Sequence, residues 1–313
     1  MARKSKKSEI IFIIVIVILL AALGLGIFSY FYFDKKIEEK EKNNNKIITE
    51  TQSKEEILKS KEEEMIILQN ELDEYNNLDK KIEDLKKEYY SSIKDLEDAI
   101  ISGKSNKKIA YLTFDDGPYY NTYKVLDILD KYNVKATFFT TSINGENCYD
   151  KKSEKCYPLY KEYIKRGHTI ANHTYTHGIW SGLYKSTDSF INAVSKQEEH
   201  VKNMTGGYIT RIVRFPGGSS TAGKLKNSII EALKKKGYGW VDWNAQDGDG
   251  GDLSTKEQAW SNLKSSINEN IEVILFHDYH PITTEILPEV IEYLQKNGYI
   301  LLPLFYESNM INK

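Results

Sequence analysis

Ile109-Ala-Tyr-Leu-Thr-Phe-Asp-Asp-Gly-Pro118 decides the fold. An apolar, β-prone run ends abruptly in two carboxylates and a Gly-Pro pair. That pattern reads as a buried strand carrying charge at its C-terminal end. Working outward, the pattern repeats. Strands are predicted over 136–140, 168–171, 211–215, 238–243, 272–276 and 299–304. Between them lie helical stretches over 123–132, 159–165, 189–204, 225–236, 255–267 and 284–296, several followed by Gly. Repeated strand–helix units imply a parallel sheet with helices outside it, an α/β fold. About 200 residues with seven or so strands suit a closed or nearly closed (β/α) barrel.

The whole chain has 313 residues, 28% charged and 40% hydrophobic, with a formal net charge of −2. That length fits one enzyme domain with appendages. A balanced charge gives no whole-chain case for nucleic-acid binding. Two cysteines are too few for a disulfide scaffold or a cysteine-rich zinc module. Six prolines and 19 glycines exclude collagen-like and proline-rich classes.

Three segments differ in composition. Residues 1–33 read as a cytoplasmic tail and transmembrane anchor. Ile10 to Phe33 contains no charged residue and is long enough to span a bilayer core of about 30 Å. Arg3, Lys4, Lys6 and Lys7 precede it, which puts the N-terminus in the cytoplasm and the rest outside the cell. A cleaved signal peptide is the competing reading. Its apolar run would be shorter, about 7–15 residues, whereas this one closes on Phe28, Tyr30, Phe31, Tyr32 and Phe33. Residues 34–104 lack Pro and are dense in Lys and Glu. Apolar residues at Leu58, Met65, Leu68, Leu72 and Tyr75, then Ile82, Leu85, Tyr89, Ile93, Leu96 and Ile100, fit an amphipathic helix or short coiled coil. The segment reads as a solvated stalk, with homodimerisation through it as the alternative. Residues 105–313, which carry the strand–helix units, are expected to be the catalytic domain.

Polar clusters fall at the predicted strand ends. Asp115 and Asp116 end the first strand; His173 and His177 follow the third. Arg214-Phe-Pro-Gly-Gly218 ends the fourth, Asp242-Trp-Asn244 the fifth, and His277-Asp278 the sixth. In a barrel, strand C-termini form the active rim. Two histidines four apart plus one carboxylate from Asp115 or Asp116 make a three-ligand set with an open position, the composition of a catalytic metal site. Adjacent aspartates leave a strand in different directions, so one can bind metal while the other moves a proton. Taken alone, Asp-Asp-Gly-Pro is equally good turn chemistry.

Thr113-Phe-Asp-Asp-Gly-Pro118, His173-Thr-Tyr-Thr-His177, Arg214-Phe-Pro-Gly217 and His277-Asp278, in that order, resemble the motifs of the polysaccharide deacetylase family, carbohydrate esterase family 4. The resemblance covers about Lys107 to Tyr306. The anchor, stalk and domain together are similar to bacterial membrane-anchored peptidoglycan N-acetylglucosamine deacetylases. The resemblance implies a distorted (β/α) barrel and metal-dependent removal of N-acetyl groups with release of acetate. It implies Asp115 as general base and Asp116, His173 and His177 as ligands of Zn2+ or another divalent transition metal such as Co2+. Arg214 would hold the base, the Gly217 N–H would bind an oxyanion, and His277 would be the general acid. A further carboxylate would tune His277, and Asp242 is the choice, with Asp247 as runner-up. The family usually has an aromatic or other large residue where Gly217 stands, so a groove wall is expected to be missing.

Phe215, Pro216 and Trp243 are the candidate substrate contacts, and Ser219 or Ser220 a candidate hydrogen-bonder to sugar hydroxyls. Trp180 is a candidate for sugar stacking, against core packing. Cys148 and Cys156 flank a polar insertion and are expected to form a disulfide if the domain is extracellular. The expected partners are peptidoglycan, or another N-acetylated glycan such as a chitooligosaccharide or exopolysaccharide, and the membrane, with no nucleic acid. A non-catalytic scaffold working through its coiled coil is the alternative from another class. The complete Asp-Asp, His-His, Arg and His set argues against it.

Overall fold

In the computed structural model the chain divides into two units, Met1–Tyr89 and Tyr90–Lys313. The structure describes residues 23, 57–67, 69–70, 87–142, 158–208, 210–306 and 308. The expected anchor over 10–33, apart from Leu23, lies outside the described residues, and so do Cys148 and Cys156. No helix among the described residues is long and apolar enough to cross a membrane. In the first unit, residues 57–67 are helical and exposed.

The second unit runs β1 (Lys108–Asp115), α1 (Thr122–Lys131), β2 (Thr137–Thr140), α2 (Pro158–Lys165), β3 (Thr169–Asn172), α3 (Thr187–Thr205), β4 (Ile212–Val213), α4 (Lys226–Lys235), β5 (Gly239–Trp240), β6 (Ala245–Gln246), α5 (Lys256–Ser266), β7 (Ile271–His277), α6 (Pro281–Lys296) and β8 (Tyr299–Leu301). The strands pair in the order β5-β4-β3-β2-β1-β7-β6, and β8 pairs the start of β1. Every strand pairing among the described residues is parallel. The result is a curled half-barrel, and among the described residues no pairing joins β5 to β6.

Strand periodicity then sorts the side chains. On β1, Ala110, Leu112 and Phe114 pack outward with residues of α1, α5 and α6. Ile109 and Tyr111 face inward with Phe139, Ala171, Val241 and Val273. Thr113 and Asp115 continue that inner row, which carries Asp115 to the mouth of the curl. The register pairs Asp115 with His277 on β7. Two chemical side chains about 160 residues apart in sequence are therefore neighbours on one rim.

One boundary differs from the sequence expectation. Residues 90–101 are helical and belong to the catalytic unit rather than to a solvated stalk. Ile93 and Ile100 are buried in the inner core, and Tyr90 stacks on Phe305 with ring centroids 4.6 Å apart. Glu97 is 0% exposed and accepts a hydrogen bond from the Tyr111 hydroxyl. The inner face of a half-barrel is apolar and needs a cover, and this helix supplies one. Its 3–4 apolar spacing is the same whether the partner is a second helix or a sheet, so the sequence alone does not distinguish a coiled coil from this docking. Burying each isoleucine is worth about 1.5–3 kcal/mol, and 1 kcal/mol moves the midpoint of a unit this size by about 2–4 °C. A protein starting at residue 105 should therefore melt at least roughly 6 °C below one starting at residue 87. Equal melting midpoints by calorimetry would contradict the packing role of residues 90–101.

Candidate active site

Arg214 follows β4 and is 0% exposed. One guanidinium nitrogen, Nη1, donates to Asp115 Oδ1 at 2.8 Å and to Thr113 Oγ1 at 2.7 Å. Nη2 donates to the Asp242 carbonyl at 3.1 Å, and the group lies 4.1 Å from the Phe139 ring centroid. Burial pushes the Asp115 carboxyl up, Arg214 and then His277 pull it back, and the balance leaves it at about 6. Asp115 thus has one oxygen held by arginine, while Oδ2 lies 3.6 Å from His173 Nε2.

His173 and His177 come from the loop after β3. His173 is 2% exposed, and its Nδ1 lies 2.9 Å from the Arg214 carbonyl oxygen. A carbonyl only accepts, so Nδ1 carries the proton and the Nε2 lone pair faces the site. Burial, reinforced by the neighbouring His177, holds the His173 imidazole neutral, well below its ordinary range. Asp116 Oδ1 is 3.6 Å from both His173 Nε2 and His177 Nε2. That is long for a hydrogen bond. Ligands at about 2.1 Å in tetrahedral array would stand about 3.4 Å apart, so this spacing fits donors gathered around a common cation. All three ligand atoms lie within 4.8 Å of one another.

The backbone is bent to achieve this. Asp116, Thr174 and His177 have φ of 73°, 65° and 50°, left-handed values rare for residues with a side chain. Asn172 Oδ1 accepts from the Thr174 N–H at 2.9 Å and steadies the turn between the two histidines.

His277 ends β7. Its Nδ1 donates to Asp249 Oδ1 at 2.7 Å, which leaves Nε2 toward the cluster, 3.9 Å from Asp116 Oδ2. Asp249 Oδ2 accepts from the His277 N–H and from Thr283 Oγ1, each at 2.6 Å. Burial alone would lower the His277 pKa. The Asp249 hydrogen bond and charge outweigh it, aided by Asp116 and Asp115, and raise the pKa to about 9. Gly250 leaves the room this histidine needs, since a Cβ there would lie 2.8 Å from His277 Cε1.

Several sequence expectations are corrected here. Asp242 does not touch His277. It is 2% exposed and accepts from the Ser219 N–H at 2.9 Å and Ser219 Oγ at 2.6 Å. It follows β5, which pairs with β4, whereas His277 ends β7, whose neighbours are β1 and β6. Asp247 also serves indirectly, as its Oδ1 accepts the Asp249 N–H at 3.0 Å. The missed residue, Asp249, follows the two-residue strand β6, too short to read from periodicity. The Asp-Gly-Asp-Gly-Gly run at 247–251 was the available signal.

Phe215 is not a substrate contact. It is 0% exposed and stacks on Phe190 with centroids 4.6 Å apart, because it leaves the chain on the face opposite Arg214. Pro216 is also buried, and its carbonyl accepts from the Tyr184 hydroxyl at 2.8 Å. Ser219 is turned inward to Asp242, while Ser220 is exposed. Trp243 is half-buried and packs near Gly218 and Arg214.

Gly217 is exposed, with φ of 72°. A Cβ there would meet Thr221 Oγ1 at 3.0 Å and Ile179 Cδ1 at 3.2 Å, so backbone strain and crowding both favour glycine. Among the described residues nothing accepts a hydrogen bond from its N–H.

Fold and site together define a metal-capable hydrolase of the deacetylase class. A family model described as polysaccharide deacetylase matches residues 102–241. A peptidoglycan-N-acetylglucosamine deacetylase of Bacillus cereus is 30% identical over 201 residues, covering 62% of this chain and 68% of that protein. A putative polysaccharide deacetylase, YheN, of Bacillus subtilis is 32% identical over 197 residues, 61% of this chain and 65% of that one. The catalytic domain of a peptidoglycan N-acetylglucosamine deacetylase from Eubacterium rectale superposes with a TM-score of 0.59 at 33% identity, covering 66% of this chain and 93% of that one. The chain belongs to the polysaccharide deacetylase family and is a deacetylase enzyme.

The Asp249 assignment is open to direct test. A carboxylate stabilises the imidazolium and an amide does not, so Asp249→Asn should lower the His277 pKa by roughly 1–2 units. Asp242→Asn should leave it in place. Titration of the His277 ring protons by NMR in metal-free protein reads both. A shift caused by Asp242→Asn and not by Asp249→Asn would overturn the assignment.

Proposed function

We propose that the protein is a metal-dependent hydrolase that removes N-acetyl groups from amino sugars of cell-wall peptidoglycan, N-acetylglucosamine being the favoured sugar. One observation carries this reading. Asp116, His173 and His177 gather their ligand atoms within 4.8 Å, with Asp115 Oδ2 3.6 Å from His173 Nε2 and His277 Nε2 3.9 Å from Asp116 Oδ2. A divalent ion held there, Zn2+ in the leading reading, would polarise an amide carbonyl and make water more acidic.

The chain's own groups supply the rest. Asp115 accepts the proton of the attacking water at Oδ2, the oxygen that Arg214 leaves open. A pKa of about 6 keeps it largely ionised at neutral pH and still basic enough to act. The Gly217 N–H, which makes no hydrogen bond among the described residues, is assigned to stabilise the oxyanion as the carbonyl carbon becomes tetrahedral. His277 enters protonated and delivers its Nε2 proton to the nitrogen as the C–N bond breaks. Acetate and a free amine result. Asp249 holds His277 protonated through its hydrogen bond to Nδ1 until that step.

The uncharged stretch Ile10 to Phe33, with basic residues before it, supports a single-pass anchor and a catalytic unit outside the cell, facing the wall. Relatives that bear the name peptidoglycan deacetylase support the choice of substrate.

The test uses full-length protein in detergent, stripped of metal and reloaded with Zn2+ or Co2+, with acetate release from peptidoglycan and chitooligosaccharides as the readout. Stripping should abolish turnover and reloading restore it. His173→Ala should lose stoichiometric metal and activity together. Asp115→Asn should keep its metal and lose about 10²–10⁴-fold in rate. Full turnover in His173→Ala, or in metal-free protein, would refute the mechanism. Acetate release from chitooligosaccharides with none from peptidoglycan would reassign the substrate.

A further inference from the structure

Among the described residues, three of the four exposed aromatics of the catalytic unit gather on one rim. Its exposed large apolar side chains, among the described residues, are Ile101, Tyr120, Trp180, Tyr279, Ile300 and Tyr306. Tyr120, Trp180 and Tyr279 follow the C-terminal ends of β1, β3 and β7, the strands whose ends build the reaction centre. Trp180 is the extreme case at 98% exposed, so among the described residues its indole is left to solvent.

Its backbone, in contrast, is fixed. Trp180 lies three residues after His177 in a pair of tight turns. The Ile179 N–H donates to the His177 carbonyl at 2.8 Å, and the Ser181 and Leu183 N–H groups both donate to the Gly178 carbonyl, at 3.1 and 3.0 Å. Leu183 is buried in a core with Phe190 and Phe215, and the Tyr184 hydroxyl ties the segment to the Pro216 carbonyl at 2.8 Å. Ile179 lies against Gly217, 3.2 Å from where a Cβ would stand. The turn is thus clamped between a candidate metal ligand and the candidate oxyanion residue, and it holds its largest apolar side chain out into water beside them. Gly217 carries no side chain of its own, and Trp180 is the strongly exposed aromatic beside it among the described residues.

We propose that Trp180 is the stacking platform for a sugar ring next to the one whose N-acetyl group reacts, and that the enzyme therefore selects glycan chains over single sugars. The inference rests on the functional reading above. A β-linked N-acetylhexosamine has equatorial polar groups and a flat C–H face that matches an indole. A tryptophan on a rigid turn loses little conformational entropy on binding. The contacted ring does not react, so the contact stabilises ground and transition states alike and should appear in KM rather than kcat.

The test uses the full chain, metal-loaded, with chitooligosaccharides of two to five units. In the wild type kcat/KM should rise with chain length. Trp180→Ala should raise KM for the tetramer and pentamer roughly 5–20-fold, flattening the length dependence, with kcat changed less than about twofold. Trp180→Tyr should recover most of the loss, which a merely structural residue at an exposed site would not require. Direct binding of the pentamer to Asp115→Asn protein by calorimetry, with and without Trp180→Ala, gives the same answer without turnover. It therefore decides the Trp180 role even if no acetate is released. Unchanged KM, unchanged affinity and unchanged length dependence in Trp180→Ala would overturn the proposal. So would weakened binding to anionic phospholipid vesicles with oligosaccharide affinity intact, which would make Trp180 a lipid contact.

Discussion

A buried arginine organises this site. Taking a guanidinium wholly out of water is costly unless its donors are met, and one with nothing to pair would unfold the region around it. Arg214 meets that demand with Thr113 and Asp115 on β1 and the carbonyl of Asp242 after β5. Its own carbonyl fixes the His173 tautomer. One residue thus ties Asp115, a candidate metal ligand and the turn bearing Gly217 into a single frame. The same cation offsets the burial that drives the Asp115 carboxyl upward. Structural and chemical roles coincide, so the site cannot loosen without losing its electrostatics.

The sheet turns this frame into an active rim. Alternate residues of β1 divide between helices outside and the curl inside, and the inner row ends at Asp115. The same inner row on β7 ends at His277. At the mouth regular backbone gives way to left-handed residues at Asp116, Thr174 and His177. These conformations cost energy, and they are concentrated where donors must converge on one point. Across the rim from Arg214, Asp249 clamps both the ring and the backbone N–H of His277, and Gly250 leaves the space that ring occupies.

Much of this was legible in the sequence for physical reasons. A strand that stops in two carboxylates, a histidine pair at four-residue spacing and a strand ending in His-Asp carry chemistry at fixed offsets from strong secondary-structure signals. The parallel α/β architecture followed from the repeating units. What failed was tertiary. Asp249 was hidden because β6 has only two residues and leaves no periodic signature. Phe215 was misread by adjacency to Arg214, although strand alternation sends the two to opposite faces. Residues 90–101 carry an apolar stripe that describes a helix with a partner but does not name the partner. The distinction between Ser219, turned inward to Asp242, and the exposed Ser220 depends on a turn that no local rule specifies.

Arg214 holds the buried Asp115 carboxylate ionised near neutral pH. Carboxyl-carbon NMR of aspartate-labelled, metal-free protein measures it directly, with Asp115→Asn assigning the resonance. Wild-type Asp115 should titrate near 6. Arg214→Met removes the compensating charge and fills the volume, and Asp115 should then titrate above about 7, an upward shift of 1 unit or more. An Asp115 titration that is unchanged, or lower, in Arg214→Met would contradict the account.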